Sequence, residues 1–136
     1  MSKNRKYILL VDDEKGFLFT ASLFLRKSGY RVKVAENGKE ALKLFLEACS
    51  AEEPFDLLVT DIRMPEMTGS ELIDAIRLSG IPVPVFAITS YLSAELVEEL
   101  KNKGCEAVIE KPFLPEELTD HILTIFGSPE ATANMT

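Results

Sequence analysis

A chain of 136 residues with 46% hydrophobic content is sized for one domain with a substantial core, with no length left for a second module. Its 22 acidic against 15 basic residues, a formal charge of −7, exclude a protein built to grip nucleic-acid phosphates, which needs a basic face. No apolar run approaches membrane-spanning length, and residues 1–6 are followed only by Tyr7–Val11, too short for a secretion-signal core, so a soluble cytoplasmic protein is expected.

In chain order, Tyr7–Val11 is an unbroken apolar run ending in Asp12, Asp13 and Glu14, the pattern of a strand buried on both faces and tipped by acids. Phe17, Leu18, Ala21 and Leu25, with Phe24 on a flank, recur near helical spacing until Ser28 and Gly29, predicting a first crossover helix. Residues 31–35 alternate charged and apolar side chains, as a strand nearer the sheet edge does. Asn37 and Gly38 lead into a second helix over 40–49, with Ala41, Leu42, Phe45 and Leu46 as its apolar face.

After a polar link, Phe55, Leu57, Leu58 and Val59 run into Thr60 and Asp61 and then a loop closed by Pro65 and Gly69, which predicts a core strand carrying a carboxylate at its tip. A helix over about 70–78 buries Leu72, Ile73 and Ile76, and Gly80 ends it. The apolar run 83–88 is a fourth strand, with Pro84 near its start, and it is tipped by Thr89 and Ser90. Ser93 is placed to cap a helix over 94–103 that Gly104 closes. Residues 107–109 form a short strand running to Glu110, Lys111 and Pro112, and Pro115 opens a last helix burying Leu118, Ile122, Leu123 and Phe126 before Gly127. Residues 128–136 are a polar tail or the start of a linker.

Strands alternating with helices predict an α/β fold, a five-stranded parallel sheet flanked by five helices through right-handed crossovers. Parallel strands bring their carboxyl ends to one edge, so Asp12, Asp13, Asp61, Thr89 and Lys111 converge there. Neighbouring carboxylates repel by about 4 kcal/mol per pair at about 4 Å for a surface-like dielectric, so the cluster calls for cations. Lys111 supplies one, and a hard divalent ion such as Mg2+ suits Asp13 and Asp61 beside a phosphoryl group. An Asp nucleophile, a metal ion, a fixed lysine and a hydroxyl donor suffice for phosphoryl transfer, with Asp12, Asp13 and Asp61 all eligible as the nucleophile. Cys49 and Cys105 match no paired spacing, and the lone His121 sits in a helical stretch, which leaves zinc and serine-triad chemistry without residues.

The set Asp12-Asp13, Asp61 in a DxxMPxMxG pattern, Thr89 and Lys111-Pro112-Phe113 resembles the receiver domain of two-component response regulators, over about residues 6–126. The resemblance implies a flavodoxin-like doubly wound (βα)5 fold over residues 1–127, with Asp61 as phosphoacceptor. It also implies that Asp12, Asp13, Asp61 and the backbone carbonyl of Arg63 hold Mg2+ or Mn2+, that Thr89 binds a phosphoryl oxygen, and that Lys111 neutralises it across a cis Lys111–Pro112 bond. The donor it implies is a sensor histidine kinase or a histidine phosphotransfer protein, and an output partner or downstream domain listens. Neither nucleic acid nor membrane is expected to bind this domain, and homodimerisation stays open.

One position departs from the family pattern. Where receivers commonly carry Tyr or Phe three residues before the lysine, this chain has Val108, which places signalling on the loop 89–92 and the helix after it, with Tyr91 contributing. Arg63 and Tyr91 occupy positions that the family uses to tune dephosphorylation. The resemblance implies a signalling module whose only chemistry is self-directed phosphotransfer and dephosphorylation. The alternatives are a magnesium-dependent phosphatase with an aspartyl nucleophile and a pseudo-receiver that serves only as a binding platform. The phosphatase lacks the second acid expected two residues after Asp61, where Arg63 stands, and lacks residues for a substrate-covering cap.

Overall fold

The computed structural model describes residues 5–127, so the expectations for the tail over 128–136 and the first four residues lie outside the described residues. Ten elements alternate along the chain: β1 Tyr7–Val11, α1 Lys15–Lys27, β2 Arg31–Ala35, α2 Gly38–Ser50, β3 Leu57–Asp61, α3 Gly69–Leu78, β4 Val85–Thr89, α4 Ala94–Asn102, β5 Ala107–Glu110 and α5 Pro115–Phe126. All strand pairs are parallel and the spatial order is β2-β1-β3-β4-β5, so the α/β doubly wound architecture is observed. The chain steps outward from β1 to β2, then crosses over β1 to β3. That reversal leaves the carboxyl ends of β1 and β3 as the two sides of a crevice, the place where open sheets of this kind take ligands.

Strand side chains alternate between two cores because successive residues point to opposite faces. Leu9, Val11, Leu58, Val85 and Ala87 pack with α2, α3 and α4, centred on Phe45, Leu72, Ile73 and Ile76. Ile8, Leu10, Leu57, Val59, Phe86 and Ile88 pack with α1 and α5 through Leu18, Leu25, Leu118 and Ile122. Pro84 precedes the β4 ladder, and its carbonyl accepts from Leu58 N–H at 3.0 Å, so its missing donor costs no sheet bond.

The cap expected at Ser93 is observed, its Oγ accepting from Leu96 N–H at 3.1 Å, and Asn37 also caps α2, its Oδ1 accepting from Glu40 N–H at 2.8 Å. Two apolar assignments are corrected: Leu46 and Leu123 are 42% and 40% exposed. Each follows a fully buried core residue, Phe45 or Ile122, and one helical step of about 100° carries it off the sheet-facing stripe.

Gly69 marks the tightest approach in the loop between β3 and α3. A Cβ there would collide with the carbonyl oxygen of Asp61 and sit 2.8 Å from Ile62 Cα, both backbone atoms that cannot swing aside. The variant Gly69→Ala is therefore expected to lose about 1–3 kcal/mol of stability in urea unfolding, the usual cost of overpacking.

Candidate functional site

The carboxyl edge of the sheet assembles the residues singled out above. Asp12 follows β1 and is completely buried, Asp61 ends β3 and is 7% exposed, and Asp13 lies at the surface beside them. One carboxylate oxygen from each of Asp12, Asp13 and Asp61 lies within 4.8 Å of the others. The donors are all carboxylate oxygens, which is the chemistry Mg2+ prefers, and the open face at Asp13 leaves room for water ligands.

Lys111 reaches this cluster from the end of β5. Its Nζ donates to Asp12 Oδ2 at 2.7 Å and lies 3.7 Å from Asp61 Oδ2. Lys111 N–H donates to the Thr89 carbonyl at 2.8 Å, which ties the residue to the tip of β4, and the Lys111–Pro112 bond is cis. The aliphatic stem is mostly buried, and the ammonium lies 4.6 Å from the Phe17 ring centroid.

Thr89 is fully buried at the tip of β4, and its hydroxyl accepts from Tyr91 N–H at 3.1 Å. Arg63 N–H donates to Asp61 Oδ1 at 3.4 Å while its guanidinium stacks 4.6 Å from the Tyr91 ring centroid. Arg63 and Tyr91 thus touch, a contact that single-sequence reading does not supply. Val108 is half-buried and packs against the core on the α2–α4 side. Sequence reasoning also passed over Glu14, whose Oε1 accepts from Lys111 Nζ at 2.7 Å. Its only signal was its place as the third consecutive acid after β1.

Residues 8–123 match the family model described as response regulator receiver domain. The chain belongs to that family. This receiver is 35% identical over 116 residues to a response regulator receiver protein of Anaeromyxobacter sp., covering 85% of this chain and 46% of the relative. It is 39% identical over 115 residues to the two-component response regulator ORR42 of Oryza sativa subsp. japonica, covering 85% of this chain and 82% of that protein. The chain thus spans about half the length of the bacterial relative and most of the plant one. The chemotaxis protein CheY4 of Vibrio cholerae superposes with a TM-score of 0.80 at 32% identity, over 90% of this chain and 99% of that one. Receivers are signalling domains that take phosphoryl groups from histidine kinases, and the Asp12, Asp13 and Asp61 cluster is consistent with their Mg2+ site. Among the described residues no helix is long and apolar enough to cross a membrane, and Cys49 and Cys105 are free.

Charge and burial compete in this receiver's site. Burial pushes the Asp61 carboxyl up to about 6, the Asp12 charge pushes the same way, and Lys111 pulls against both. Asp12 is also raised by burial, against its hydrogen bonds from Lys111 and Glu14 N–H. Burial alone would lower the Lys111 ammonium, but hydrogen bonds to Asp12 and Glu14 carry it upward overall.

In metal-free protein the folded pKa of Asp61, about 6, stands above the ordinary 3.8, so the folded state holds a proton that the unfolded chain has released. Stability should then decline as pH rises from about 4 to about 6 and level off above that. The variant Asp61→Asn removes this contribution and should be more stable than wild type by about 1–3 kcal/mol at neutral pH, measured by urea unfolding in EDTA. A mutant that tracks the wild-type pH profile would place the cost elsewhere.

Proposed function

We propose that this receiver is a phosphorylation-controlled switch with Asp61 as its phosphoacceptor. The observation that supports it best is the Lys111 ammonium held 3.7 Å from Asp61 Oδ2 while bonded to Asp12, which joins the tips of three strands at one carboxylate. In the step, an Asp61 oxygen lone pair forms the O–P bond as the P–N bond of a phosphohistidine breaks, and the electron pair leaves on the imidazole. Lys111 then pairs with the new phosphoryl oxygens and the Thr89 hydroxyl donates to one of them. Asp12, Asp13, Asp61 and the Arg63 carbonyl would hold Mg2+ or Mn2+, which supplies charge neutralisation for the transferred group. The donor is a sensor histidine kinase or a phosphotransfer protein, the setting is cytoplasmic, and any dephosphorylation is the receiver's own.

The output reading places the moving surface on α4, β5 and α5, entered through the Thr89–Tyr91 contact. The phosphatase alternative gains nothing from the site, since Arg63 occupies the place of its second acid and turns to Tyr91.

Intact mass after incubation with acetyl phosphate and Mg2+ tests the assignment. Wild type should gain one phosphoryl group, and Asp61→Asn should gain none. A gain that persists in the variant removes Asp61 from the role, and steady release of phosphate from small esters would favour the phosphatase.

The lifetime of the acyl phosphate depends on the same face of the site. Arg63 stacks on Tyr91 while its N–H lies 3.4 Å from Asp61 Oδ1, and on this reading their contact would limit the approach of water to the acyl phosphate. Arg63→Ala and Tyr91→Ala should each shorten that lifetime by about two- to fivefold, the factor equivalent to an exposed cation–π contact, with unfolding midpoints little changed. Unchanged lifetimes in both variants would reject the contact as a tuning device.

A further inference from the structure

Glu14 holds an unusual place for its side chain. It is the N-cap of α1, a position that favours short side chains able to bond the first turn, yet it makes no side-chain cap bond. Its carboxylate crosses instead to Lys111, 97 residues away, at 2.7 Å. An ammonium has three protons to donate. Asp12 and Glu14 take two at 2.7 Å, and Asp61 waits at 3.7 Å, beyond a good hydrogen bond.

Resting on the reading of Asp61 as phosphoacceptor, we propose that Glu14 is a positioning residue that holds the Lys111 ammonium back from Asp61 and releases it when a phosphoryl group arrives. Burial separates the two competing partners. Asp12 is sealed, so stripping it of its cation is costly, whereas the Glu14 side chain is 66% exposed and water can solvate it on release. Glu14 is therefore the exchangeable partner. The cleft of about 550 Å3 between Glu14, Phe17, Tyr91 and Phe113 gives its side chain space to leave. The resting contact makes the unphosphorylated state more stable, so Glu14 opposes phosphorylation through Lys111 and not through its charge alone.

The test uses the acetyl phosphate phosphorylation rate and the affinity for beryllofluoride, a non-covalent phosphoryl mimic, in wild type, Glu14→Gln and Glu14→Asp. Glu14→Gln should raise both by about two- to fivefold, the factor equivalent to an exposed ion pair. Glu14→Asp keeps the charge but falls short of Lys111 by one methylene, so it should match Glu14→Gln. In a Lys111→Ala background Glu14→Gln should add nothing, and in otherwise wild-type protein it should shift the Lys111 side-chain 15N resonance. The proposal is overturned if Glu14→Gln behaves as wild type, if Glu14→Asp does, or if the gain survives without Lys111. A wild type that gains no phosphoryl group on Asp61 sinks both readings, whereas normal phosphorylation with no Glu14 effect sinks this one alone.

Discussion

The site depends on one ammonium shared among carboxylates that the fold forces together. Lys111 lies against Asp12, Glu14 and Asp61, and Asp13 joins Asp12 and Asp61, so the four carboxylates and one ammonium leave an excess of three negative charges that a divalent ion would reduce to one. Each unscreened pair at about 4 Å costs about 4 kcal/mol at a surface-like dielectric, a large fraction of a domain's net stability. Burial raises the Asp61 carboxyl first, and the neighbouring Asp12 charge adds to it. On the proposed reading a divalent cation would relieve this repulsion, and the added negative charge of a phosphoryl group would draw Lys111 inward. The cost of the resting state is thus part of what makes the site responsive.

Several local devices keep the carboxylates from moving apart. The parallel ladder of β3 on both neighbours fixes Asp61 in register with Ile88, and Ile62 N–H continues that ladder to the Ile88 carbonyl at 3.0 Å. Gly69 N–H then bonds the Ile62 carbonyl at 2.9 Å, closing the loop into a tight return. Thr68 and Glu71 form a reciprocal capping box that anchors the start of α3. Glu66 adopts a φ of 68° inside this loop, a left-handed conformation that costs a non-glycine residue about 1–2 kcal/mol. Strain held in place by its surroundings is common beside functional groups, and here it lies five residues past Asp61.

The framework and the polar strand tips were legible because they depend on short-range pattern. Apolar runs ending in Asp12, Asp61, Thr89 and Lys111 can occupy only one edge once the strands are parallel. The contacts between those tips were less legible. Glu14 meets Lys111 across 97 residues and Arg63 stacks on Tyr91 through a side-chain geometry that no spacing encodes. Leu46 and Leu123 show a different limit: apolar identity alone does not say which flank of a helix meets the sheet.

The attachment of α4 bears on how a charge change at Asp61 would travel. Where α3 buries Leu72, Ile73 and Ile76, α4 buries only Leu100. Leu96 packs half-buried against the core, and polar ties join α4 and the turn after it to α3: Ser70 to Glu99 at 3.2 Å, Asp74 to Lys103 at 2.6 Å, and Arg77 to the carbonyls of Lys103 and Gly104. Exposed polar ties are worth about 1 kcal/mol or less each and re-form readily, whereas buried apolar faces resist sliding. An element held this way can shift without dismantling the core. The Thr89 hydroxyl, bonded to Tyr91 N–H just ahead of α4, is the nearest lever to it, since Val108 lies half-buried against the core and has no ring to turn. On the proposed reading, a phosphoryl group that takes the Thr89 hydroxyl frees Tyr91, and the loosely buried α4 is the element least able to resist the change.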